Sequence, residues 1–80
     1  MLKLRLLCLA TFGKLPKIVY RKAIVGNKNG WRAIVILKPC NHQYSGIDIK
    51  MKTAQKIAVK QAMETVLLII KYAEERKLNG

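Results

Sequence analysis

Acidic residues are scarce in this 80-residue chain: four stand against sixteen Lys and Arg, a formal net charge of +12. Their placement sharpens the imbalance. Residues 1–63 carry thirteen of the cations and one acid, Asp48, whereas residues 64–80 are neutral, with Lys71, Arg76 and Lys77 against Glu64, Glu74 and Glu75. Crowded like charge opposes a compact chain, and a polyanion relieves it. Nucleic acid is therefore the first expected partner, ahead of an anionic membrane surface. Histidine occurs once and no paired carboxylates suggest a pocket, so the chain offers no nucleophile–base set and no enzyme is expected. Cys8 and Cys40 are too few for a disulfide framework, and Cys40 with His42 supplies two ligands where a structural zinc takes four. Neither metal nor cofactor is expected. Such cysteine usage fits a reducing, intracellular compartment, cytoplasm or nucleus. Long apolar runs are missing too: Val66 to Ile70 falls far short of the ~18 residues of a membrane span. The acid-free, Leu- and Arg-bearing start shares its composition with organelle-targeting segments, although Gly13 and Pro16 end that pattern early.

What is present is enough apolar material, about half of the residues, to build one small core, so a single domain over residues 1–80 is expected. Leu2, Leu4, Leu6, Leu7, Leu9, Ala10 and Phe12 predict a first helix over about 2–12, closed by Gly13 and Pro16. Cys8, among these leucines, reads as a small core residue. The β-branched and aromatic runs 18–25 and 31–37 predict two strands. Gly26-Asn27-Lys28-Asn29-Gly30 between them has the turn chemistry of a hairpin and not the pattern of a phosphate-cradling loop. Residues 39–42 read as a further turn, and 43–49 as a weaker third strand interrupted by Gly46. From about Lys52 to Arg76 the period becomes helical. Ala54, Ala58 and Ala62 recur every fourth residue, with Ile57, Val66, Ile69 and Ala73 near the same side. Lys52, Lys56 and Lys60 fall opposite them. The expected class is α+β in the order α-β-β-β-α, with both helices on one face of a three-stranded antiparallel sheet.

Over about residues 4–70 the chain resembles the double-stranded-RNA-binding domain family. The segment Leu4-Arg5-Leu6-Leu7-Cys8-Leu9, followed by Gly13-Lys14-Leu15-Pro16, is similar to the family's first helix and its exit. The stronger similarity is Gly46 followed by Lys50-Met51-Lys52-Thr53-Ala54-Gln55-Lys56-Ile57-Ala58, a lysine-rich entry into an alanine-laddered helix. Only Lys52 falls on a family lysine position, with Lys50 and Lys56 flanking it. Leu6 and Leu9 stand where the family carries Glu and Gln, and the hairpin lacks the family's Gly-Pro-x-His. The resemblance implies binding of an A-form duplex over about 16 base pairs, chosen by shape and not by sequence. It places Lys50, Lys52, Lys56 and Lys60 on phosphates. Asn27, Lys28 and Asn29 would enter a minor groove, with Lys3 and Arg5 contributing from the first helix. Domains of this kind occur in Dicer enzymes, their partner proteins and RNase III enzymes, which implies a role in RNA processing or RNA silencing.

A second expectation comes from the surplus of apolar side chains. One side of a helix cannot bury all the leucines of residues 2–9, and residues 66–70 are apolar around the whole circumference. Leu6, Leu9, Leu67, Leu68 and Ile70 are therefore candidates for a protein interface, either with a second copy or with another domain of this fold or a Dicer-type protein. The weak third strand is a second candidate, as an edge open to strand pairing.

Overall fold

A computed structural model describes residues 2–38 and 41–79. Helix α1 spans Leu2–Phe12, strands β1, β2 and β3 span Lys17–Val25, Lys28–Leu37 and His42–Asp48, and helix α2 spans Met51–Asn79. The strands form one antiparallel sheet in the order β1-β2-β3. Both helices lie on one face of it, giving the α-β-β-β-α arrangement.

Alternation along β2 sets the faces. Ala33, Val35 and Leu37 are fully buried and meet Leu4 and Cys8 of α1 and Ala54, Ala58, Ala62 and Val66 of α2. A strand exposes successive side chains to opposite faces, so Arg32, Ile34 and Ile36 point to the open side. In α1, Leu4 and Cys8 lie one turn apart and face inward, while Leu2, Leu6 and Leu9 occupy the opposite flank and are exposed. The helix ends where the Gly13 amide donates to the Leu9 carbonyl at 3.0 Å.

One close approach fixes the seating of α2. Gly46 pairs with Ala33, and a Cβ at Gly46 would stand 2.6 Å from Cβ of Ile57 and 2.8 Å from the amide nitrogen of Ala58. The backbone of α2 rests on the sheet there, and alanines above a glycine are the residues that allow it. Gly46 thus leaves β3 continuous, where the sequence pattern suggested an interruption.

The hairpin is tighter than its composition predicts. Val25 pairs with Lys28, so the turn is Gly26-Asn27 alone, and Lys28, Asn29 and Gly30 belong to β2. Gly26 has φ +64° and Asn27 has no positive φ, the pattern of a type II′ turn. At the other end of β2, the Asn41 amide donates to the Leu37 carbonyl at 2.7 Å, and Asn41 Oδ1 accepts from Lys38 Nζ at 2.8 Å. The turn expected over 39–42 is partly shifted: His42 already belongs to β3, and Pro39 and Cys40 lie outside the described residues.

Candidate nucleic-acid interface

Helix α2 begins in a defined way. The Lys50 carbonyl accepts the first helical bond from the Ala54 amide at 3.1 Å, and Asp48 Oδ2 accepts from the Lys50 amide at 2.9 Å. Asp48 is the last residue of β3 and ties the end of that strand to the start of α2. Its carboxylate brings negative charge to the positive end of the helix dipole. The amides of Met51, Lys52 and Thr53 precede the first intrahelical bond and extend that positive end.

From this start the lysines rise in a row. With about 100° per residue, Lys52, Lys56 and Lys60 follow one another on one side and span about 12 Å. Ala54, Ala58 and Ala62, fully buried, occupy the opposite side. Lys50, Lys52, Lys56 and Lys60 are all exposed. The same burial that seats the helix points these ammonium groups away from the sheet.

Helix α1 shares this flank. Its Leu7, Ala10 and Thr11 form a groove with Ile70, Ala73, Glu74 and Lys77 of α2. The second half of α1 thus lies beside the second half of α2. Ile70 lies five helical turns after Lys52, at the same angular position, so the lysine row and α1 follow each other along one side of α2. Lys3 and Arg5 are exposed, but two residues of helix separate them by about 200°, and they leave α1 on different flanks.

The hairpin lies at the end of the sheet where α2 begins. Asp48 pairs with Trp31, and Lys28 is three residues, about 10 Å, further along β2. Asn27, Lys28 and Asn29 are exposed. On the open face, Arg21 and Arg32 stand directly across from each other, both exposed. Like charges in that position are mildly destabilising, so the cationic excess reaches this side as well.

The candidate protein-contact residues divide. Leu6, Leu9, Leu67 and Leu68 are exposed, whereas Ile70 is half-buried and packs against the core beside α1. Ile69, Tyr72 and Ala73 are exposed as well and line a depression with Arg76. Ile69 and Ala73 lie on the alanine side of the helix, and the periodicity that identified that side carries no sign of where the sheet beneath it ends. Among the described residues no cluster of His, Cys, Asp and Glu could hold a metal ion, and no helix is long and apolar enough to cross a membrane. Set against known proteins, the chain matches no family model, and no curated protein or solved structure matches it.

Proposed function

We propose that the protein binds double-stranded RNA through its shape and its phosphates, without reading sequence. The observation that carries this reading is the row Lys52, Lys56 and Lys60, exposed opposite a fully buried alanine stripe and continued by Lys50 toward the hairpin. A row of ammonium groups about 12 Å long suits a phosphate backbone. The hairpin residues Asn27 and Lys28 and one flank of α1 are available for the shallow minor grooves on either side, where 2′-hydroxyls are presented. Because the Asp48 carboxylate stands at the start of α2, the lysine side chains and not the helix terminus supply most of the attraction in this arrangement.

The test is a mobility-shift titration with a ~20-base-pair RNA duplex and a DNA duplex of the same sequence. RNA should bind more tightly, with affinity falling steeply between roughly 50 and 200 mM salt. No binding at low salt, or a flat salt response, overturns the proposal.

A second reading rests on a separate observation. Past Val66, α2 exposes Leu67, Leu68, Ile69 and Tyr72, the last to 63%, in the segment where charge is balanced. An apolar, neutral surface of this kind suits a protein partner or a second copy of the chain. Sedimentation across a wide concentration range, alone and with candidate partners, separates this reading from a strict monomer.

A further inference from the structure

Four side chains near the hairpin make a feature that the lysine row does not explain. Helix α2 lies over β2 and β3, so the part of β1 nearest the turn has no roof. Lys22 pairs with Trp31, and Ile24 pairs with Asn29. All four point to the helix side, at the corners of a cross-strand square. Ile24 and Trp31 hold one diagonal, Lys22 and Asn29 the other. Ile24 is 77% exposed, while Trp31 is half-buried and packs against the core. With Ala23 and Gly30 these residues line a shallow notch.

We propose that this notch receives an unpaired nucleobase of a bound RNA; the inference rests on the duplex-binding reading above. Diagonal neighbours in a sheet stand about 7–8 Å apart. A flat ring touching an apolar group on each face needs about 3.5 Å on either side, which matches that gap. Trp31 and Ile24 supply the two faces. The Asn29 amide offers both a donor and an acceptor to the edge of the base, and the Lys22 ammonium is placed for the attached phosphate. Stacking on an aromatic ring tolerates any base, in keeping with binding that ignores sequence. The location fits as well. Trp31 lies across from Asp48, two residues before Lys50, and Lys28 lies three residues further out along β2. The notch therefore sits between Lys50, assigned to a phosphate, and Lys28, assigned to a minor groove, beside the path of a strand that leaves the duplex there.

Trp31 is the only tryptophan in the chain, so its emission reports on the notch alone. The full chain would be titrated with a blunt RNA duplex and with the same duplex bearing a short single-stranded extension. The extended duplex should quench Trp31 and bind about tenfold more tightly. Ile24→Ser, at a position 77% exposed and outside the core, should remove that preference and keep binding of the blunt duplex. Equal affinity and equal emission for the two duplexes would overturn the notch and leave duplex binding standing. Failure of both to bind would overturn the duplex reading and the notch with it.

Discussion

The two halves of α2 carry the same helical pattern and meet different surroundings. From Met51 to Val66 every fourth residue on one side is fully buried. From Leu67 to Lys77 no residue is buried, although Ile69 and Ala73 continue on that side. The contrast lies in what is beneath. A helix of 29 residues is about 43 Å long, whereas the seven residues of β3 span roughly 23 Å. The sheet ends before the helix does. Composition follows the change: small alanines where backbone meets sheet, and Leu, Ile and Tyr where only the last turns of α1 approach. Charge changes at the same place, from a row of lysines to a balanced set. Burial along a helix thus depends on the reach of its neighbour as much as on its own periodicity.

The contrast can be broken most severely at the seat of the first half. Gly46→Val forces β3 and α2 apart, and chemical denaturation should show a loss on the order of 3 kcal/mol or more, beyond ordinary overpacking. Replacing Lys50, Lys52 and Lys56 together by Ala leaves that seat intact. RNA affinity should fall on the order of a hundredfold, and the salt slope by about one per lysine that met a phosphate. Unchanged circular dichroism would confirm that the fold is kept. A sharper comparison uses one substitution in both halves. Ala58→Leu should cost about 1–3 kcal/mol, whereas Ala73→Leu, at an exposed site, should stay within about 0.5 kcal/mol. Equal costs would mean that the second half is as tightly covered as the first. The smallest effect is expected from Leu68→Ser, neutral within about 0.5 kcal/mol in a monomer. If the chain self-associates through this end, that variant should lower the association constant in sedimentation while stability holds.

Much of this architecture was legible in the residues. The four-residue recurrence of Ala54, Ala58 and Ala62 announced both the last helix and the side it buries. Cys8 read correctly as core. The hairpin was less legible, because five successive turn-forming residues do not reveal how few of them turn. A type II′ turn asks for a positive φ at Gly26 only, and the strands then pair as far as Val25 and Lys28. Gly46 looks like a break in β3 because glycine lowers strand propensity, whereas its role is to let the backbone of α2 approach. The Lys22–Trp31 and Ile24–Asn29 pairs could not be anticipated, since the register across β1 and β2 depends on that turn length. The resemblance supplied the candidate RNA contacts. Periodicity already sets the lysines of α2 on one side; the fold adds that this side is exposed, whereas Lys3 and Arg5 leave α1 on different flanks.

Seated on the sheet along its first four turns and flanked only by α1 along its last three, α2 overhangs the sheet. Leu68 and Lys52 stand 16 residues apart on that one helix, about 24 Å along its axis. A molecule resting on the overhang would leave the lysine row uncovered.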